Sequence, residues 1–237
     1  MRDRTGPDRT VIDMSDPEAS FPVTPATTVR RVPARASYDR SLAHAILDEG
    51  LVAHVGFVSD DQPFVIPMVY GRDGDRLLLH GSVASRVARS LGDDIPVCVT
   101  VTHVDGLVLA KSQFHHSLNY RSVVILGRAT RLTDDAEIEA ALVTLVDHVA
   151  PGRAVETRPA NRVELRQTAV LALPIEQASI KIRTGGPIDD EADLDAAVWS
   201  GVIPLGTAVG QHVPDATSGS IRPSTVVSSW TRPGAGG

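Results

Sequence analysis

The chain has 237 residues, 42% apolar and 22% charged, with a formal net charge of −6. That is ample length for a buried core, and no apolar run approaches the roughly 20 residues of a membrane-spanning helix. The single cysteine, Cys98, excludes an intrachain disulfide framework and multi-cysteine metal sites, and the acidic balance gives nucleic acid no obvious counter-surface.

Residues 1–28 hold Pro7, Pro17, Pro22 and Pro25 among small polar residues, with no apolar period, and read as a flexible N-terminal arm. No apolar stretch follows MRDRTGPDRT, so a cytoplasmic location is expected. A helix is predicted over Asp39–Glu49, capped by Ser37 or Asp39. Leu51–Ser59 and Pro63–Tyr70 read as strands around an Asp60-Asp61-Gln62 turn, and Asp73-Gly74 as a hairpin leading into Arg76–His80. Pro96–Val104 alternates Val97, Val99 and Val101 against Cys98, Thr100 and Thr102. Asp105-Gly106 is read as the next hairpin turn, before Leu107–Lys111. Ser122–Leu132, Thr168–Leu173 and Ser179–Arg183 complete the strands. Asp134–Val149 is an amphipathic helix, with Ile138, Ala141, Leu142, Leu145, Val146 and Val149 on one stripe. Residues 214–237 end in Pro-Gly-Ala-Gly-Gly and read as a flexible tail. Successive strands joined by tight turns are antiparallel, so the fold class is mostly β with a few peripheral helices, a barrel or sandwich.

One turn carries a chemical signal. A strand runs to His80, Gly81 permits a sharp turn, Ser82 is read as a helix cap and Ser85 falls at its third helical position, opening a helix over Ala84–Leu91. Unpaired first-turn amides, the Ser82 and Ser85 hydroxyls, and Arg86 and Arg89 one turn apart would make a monophosphate cradle. A plain capped helix with solvated arginines is the other reading of the same residues.

That turn stands in a longer pattern. The strand Ile66-Pro67-Met68-Val69-Tyr70 precedes it, Asn119-Tyr120-Arg121-Ser122 follows, and Lys181-Ile182-Arg183 and Trp199-Ser200-Gly201-Val202-Ile203-Pro204 close the order. Over residues 29–213 this resembles the pyridoxamine 5'-phosphate oxidase-like flavoproteins, in the branch related to nitroimidazole reductases. The resemblance implies an FMN-binding split β-barrel of antiparallel Greek-key type, over residues 29–187, with 188–213 packing on it. It also implies a homodimer with FMN at the subunit interface. Ser82, Ser85 and Arg86 or Arg89 would hold phosphate, beside His80. The backbone of the strand that holds Pro67, Met68, Val69 and Tyr70 would lie against the ring, with Asn119, Tyr120, Arg121 and Ser122 coming near it from the second subunit and Trp199 over the pocket. Many relatives carry a lysine where this chain offers Arg86 and Arg89.

Flavin chemistry needs no protein nucleophile or metal. The eight histidines include no H-E-x-x-H, and His115-His116 are adjacent, so they point apart in an extended chain. Either is a loop residue, a proton donor at the ring, or an axial haem ligand. Tyr120 is the third catalytic candidate. An oxidoreductase acting on a small-molecule substrate is expected, with a haem-binding protein or a deazaflavin-dependent reductase on the same barrel as alternatives.

Overall fold

Alternation builds the strands. In β2 (Val52–Ser59) Ala53, Val55 and Phe57 are buried, while Val52, His54 and Val58 face outward. The computed structural model describes residues 19–85, 88 and 93–232. β1 (Ala36–Ser37), β2, β3 (Gln62–Asp73), β4 (Arg76–Ser82), β5 (Asp93–Leu109), β6 (Ser117–Arg131), β7 (Thr168–Pro174), β8 (Gln177–Arg183) and β9 (Gly201–Pro204) form one sheet, paired antiparallel in the order β1-β8-β6-β7-β4-β3-β2-β5-β9. A further β5–β6 pairing closes β2, β3, β4, β7, β6 and β5 into a barrel. The mostly-β antiparallel class read from the sequence is the observed one.

Tyr70, Leu77, Leu79, Val99, Ile125, Leu173 and Ile180 fill the barrel, and all are fully buried. Helix α1 (Arg40–Glu49) seals one end with Ala43, Ile46 and Leu47. The Asp39 carboxylate caps it, accepting from the Leu42 amide at 2.7 Å. Helix α2 (Asp135–Val149) lays Ile138, Ala141 and Leu145 over Leu78, Val170 and Ala172 on the outside of the sheet. Asp134 caps it through the Glu137 amide at 2.9 Å. A short helix α3 (Arg162–Gln167), closed by an Asn161/Glu164 capping box, leads into β7. Among the described residues no helix is long and apolar enough to cross a membrane.

Two expectations are corrected. Asp105-Gly106 is not a hairpin: β5 runs through it, with a register shift against β6 between Val104 and Gly106. Glycine is needed there because β9 lies close, and a Cβ would sit 3.1 Å from the Ile203 carbonyl oxygen. The strand expected to end at His80 continues to Ser82, which pairs with Thr168. The terminal segments, where described, dock on the barrel. Phe21 is buried beneath the Arg40 guanidinium at 4.5 Å. At the other end α4 (Thr225–Ser228) precedes Trp230, whose Nε1 donates to the Val149 carbonyl at 2.8 Å.

Candidate functional site

The barrel opens along one seam. β3 and β4 are paired only from Tyr70↔Leu79 to Asp73↔Arg76. Beyond Tyr70, β3 stays with β2 (Val69↔Val52, Pro67↔His54), whereas His80, Gly81 and Ser82 of β4 stay with β7. The Pro67–Val69 segment and the His80–Ser82 segment are thus the two lips of a split. Pro67, Val69, His80 and Ser82 are exposed on those lips and Met68 is half-buried. Tyr70 turns its side chain away from those lips. It is fully buried, its hydroxyl donates to the Leu47 carbonyl, and burial holds its phenol above the ordinary range.

On the β4 lip the two serines divide the capping differently from expectation. Ser82 Oγ accepts from the Ala84 amide at 3.2 Å, a local turn. Ser85 Oγ accepts from the Ala88 amide at 3.1 Å, three residues on, so Ser85 rather than Ser82 occupies the cap position. Arg86 and Arg89, and most of the helix expected over Ala84–Leu91, lie outside the described residues. What the described part offers is the exposed Ser82 hydroxyl and the half-buried Ser85 hydroxyl at the end of a strand, beside an apolar lip.

The Asn119–Ser122 segment sits in β6, and its four residues face different tasks. Tyr120 is half-exposed, paired across the ladder with Val104 and Arg183. Ser122 Oγ donates to the Lys181 carbonyl at 3.3 Å. Asn119 is buried; its Nδ2 donates to the Gly185 carbonyl at 3.1 Å and its Oδ1 accepts from Arg183. Arg121 is committed to carboxylates. Its Nε and Nη2 reach Asp105 at 2.9 and 2.8 Å, and its Nη1 and Nη2 reach Glu49. That guanidinium holds the Glu49 carboxyl below the usual carboxylate range. These bonds tie the C-terminus of α1 to β5 and leave Arg121 little to offer a ligand.

His115 and His116 lie on the loop between β5 and β6. His115 Nε2 is 3.1 Å from Asp190, and its ring meets Phe114 edge-on at 5.2 Å. His116 donates from Nδ1 to the Ser112 carbonyl at 2.8 Å, because a carbonyl only accepts, and this leaves Nε2 as a lone-pair site. Asp189 accepts from the Lys111 amide at 2.8 Å, and Lys111 Nζ donates to the Ala196 carbonyl at 2.7 Å. Asp189 and Asp190 are therefore a clasp onto this loop. Apolar groups gather nearby. Phe114 is 89% exposed and Trp199 64%, and Leu118 and Ile203 are exposed on residues that both pair with Leu107. Gly201 is small because a Cβ would press into the Trp199 ring at 2.8 Å. No residue of the cleft joins this patch by a hydrogen bond or ion pair among the described residues, so the site residues read from the sequence are spread over the cleft, the Asn119–Ser122 segment of β6 and this patch, with the Tyr70 side chain in the core.

The residues that sequence reasoning missed cap α1. Leu47 O accepts from Tyr70, Ile46 O from His103 Nε2 at 2.9 Å, and Gly50 O from His148 Nε2 at 2.6 Å. Arg232, from the C-terminal segment, then donates to His103 Nδ1 at 2.9 Å, over a cavity of about 570 Å³ that Glu49, Asp105 and Arg121 also line. No local sequence signal announces contacts 57, 98 or 129 residues apart.

The family model for pyridoxamine 5'-phosphate oxidase matches residues 39–182. Among solved structures, the flavocytochrome Anf3 from Azotobacter vinelandii is 38% identical, over 88% of this chain and 97% of that one, with a TM-score of 0.83. The FAD and haem binding protein from Mycobacterium smegmatis is 37% identical, over 84% and 98%, with a TM-score of 0.77. A structure described as a 5-nitroimidazole antibiotic resistance protein, from Bacteroides thetaiotaomicron, shares the fold at 20% identity over 62% and 86%, with a TM-score of 0.52. No curated protein matches. With the closed antiparallel barrel, its split seam and a match over most of the chain, this protein belongs to the pyridoxamine 5'-phosphate oxidase family, whose fold is the flavin-binding split barrel.

Proposed function

We propose that this protein is a homodimeric flavocytochrome-type electron-transfer protein, holding a flavin nucleotide and haem. The observation that carries the reading is its 38% identity to a flavocytochrome over nearly the whole length of both chains. FAD is favoured over the FMN expected from sequence, because the second relative of similar identity is named for FAD and haem. The β3–β4 cleft fits a flavin: its Pro67 and Val69 lip is apolar enough for a ring, and the Ser82 and Ser85 hydroxyls suit a phosphate. The His116 patch fits a haem. An axial imidazole generally donates its other N–H to a carbonyl or carboxylate, which is what His116 Nδ1 does at Ser112, and Phe114, Leu118 and Trp199 supply apolar surface. The bound groups would supply the redox chemistry, while the chain orients them and excludes water. Val52, Val58, Val65 and Val69 stay exposed on the outer face of β2 and β3, and a second copy of the chain would cover that apolar band.

The test is a spectrum of the protein as purified, mass identification of released flavin, and light scattering. Flavin absorbance near about 450 nm, a Soret band near about 400 nm and a dimer mass are expected. His116→Ala should lose the Soret band and keep the flavin. Absence of the Soret band from wild type reconstituted with hemin removes the haem half of the reading and returns it to a simple flavoprotein.

A further inference from the structure

Arg183 ends β8 and is 6% exposed, yet no carboxylate answers its charge among the described residues. Nη1 donates to Asn119 Oδ1 at 2.5 Å and to the Gly185 carbonyl at 3.2 Å, and Nη2 to the Gly186 carbonyl at 2.9 Å. All three acceptors are neutral. Nε is buried with no partner. The charged and titratable neighbours that act on Arg183 are Arg35 and Tyr120, and burial together with the Arg35 charge holds the guanidinium below its ordinary range. Arg35, half-buried, lines the same cavity of about 250 Å³, beside Ile182, Thr184 and Ile188. Burying a cation without a counter-charge is costly, and placing a second cation in the same cavity raises that cost. A clamp on the Gly185-Gly186 loop would account for the three hydrogen bonds. It accounts neither for the idle Nε nor for Arg35.

We propose that Arg183 and Arg35 form an oxyanion-binding site that takes a phosphoryl or carboxylate group of a small molecule. Arginine matches both groups through paired N–H donors, and a guanidinium already fixed by Asn119 and two carbonyls loses little freedom on binding. The site lies on residues outside the β3–β4 cleft and does not depend on the flavin or haem reading. Binding an anion there would offset the repulsion between the two guanidiniums.

The experiment is calorimetric titration and thermal unfolding of the full chain as purified, with pyrophosphate and with succinate, against sodium chloride at matched ionic strength. The two ligands separate a phosphoryl from a carboxylate preference. Binding by either, with a raised unfolding midpoint that chloride does not give, is expected. Arg35→Gln should weaken it at least tenfold while leaving the anion-free protein at least as stable as wild type, since a like charge is gone. Arg183→Met tests the second arginine, and the half-buried Arg35 variant keeps the test decisive if Arg183→Met fails to fold. Should a resident ligand already fill the site, wild type will ignore both anions and Arg35→Gln will release that ligand at least tenfold more readily. Anion binding and ligand retention both unchanged in Arg35→Gln overturn the proposal.

Discussion

Gly50 should be the most sensitive small residue at the end of α1. Its φ of −76° is open to any L-residue, so its need for glycine is steric. A Cβ there would fall closer than 3.0 Å to the Tyr70 hydroxyl and 2.7 Å from Val101 Cγ1. Both neighbours are buried and neither is the far end of a flexible chain. Overpacking costs about 1–3 kcal/mol, and displacing the Tyr70 hydroxyl from the Leu47 carbonyl adds about 1 kcal/mol. Alanine recovers about 0.4–1 kcal/mol by restricting the unfolded chain. Packing wins, and Gly50→Ala should destabilise by about 1.5–3 kcal/mol on those terms. Tyr70→Phe alone should cost about 1–2 kcal/mol, because it leaves the Leu47 carbonyl only the Gly50 amide at 3.2 Å. The double variant should cost less than the sum by about 1 kcal/mol, since the phenol oxygen that collides with the new methyl is gone. Urea unfolding at matched cofactor load, with m checked for constancy, reads all three. Additivity within about 0.5 kcal/mol would show that methyl and hydroxyl do not compete, and would refute the reasoning.

Acid should act through Glu49. Its folded pKa is depressed, chiefly by the Arg121 hydrogen bonds, so its contribution is present above the unfolded Glu value of about 4.3 and disappears as pH falls through the lower folded value. Glu49→Gln should therefore be less stable than wild type at neutral pH and lose less below about pH 4, measured by unfolding midpoints across pH. Asn161→Ala removes a cap that serves the Val163 and Glu164 amides, and should cost about 1 kcal/mol by denaturant titration. Trp230→Ala breaks the bond to the Val149 carbonyl and should expose the C-terminal segment to limited proteolysis, with loss of about 1–2 kcal/mol.

The legible part of the fold is the part that short sequence windows control. The alternation at Val97, Val99 and Val101 and the turn at Asp73-Gly74 appear as read, and so does the stripe of α2 at Ile138, Ala141 and Leu145, although Val146 is exposed; each depends on residues within a few positions. Asn161-Arg162-Val163-Glu164 carried a capping-box signal that sequence reasoning passed over. Asp105-Gly106 misled because turn chemistry and a tight strand crossing both select glycine, and only β9, arriving from residue 201 onward, decides between them.

The site follows the same division. Each lip of the β3–β4 split is a continuous segment within a strand that the sequence outlines, while the seam itself depends on which partner each strand keeps. Tyr70 turns inward by the two-residue alternation of β3: Val65, Pro67 and Val69 face out, and Phe64, Ile66, Met68 and Tyr70 share the other face, which reaches full burial where β3 joins β4. Arg121 was legible as a charged residue of β6, but its carboxylate partners are contained in no local pattern. Glu49 ends one helix, Asp105 sits at a strand irregularity, and the guanidinium bridges them from a third element. Conversely, Arg183 looks like an ordinary strand-end arginine in sequence. Only the finding that Asn119, Gly185 and Gly186 surround it, with no carboxylate among the described residues, turns it into a question about a ligand. An arginine's role is thus set by the sign of what faces it. Sequence supplies the charge, and the tertiary fold supplies the counter-charge or withholds it.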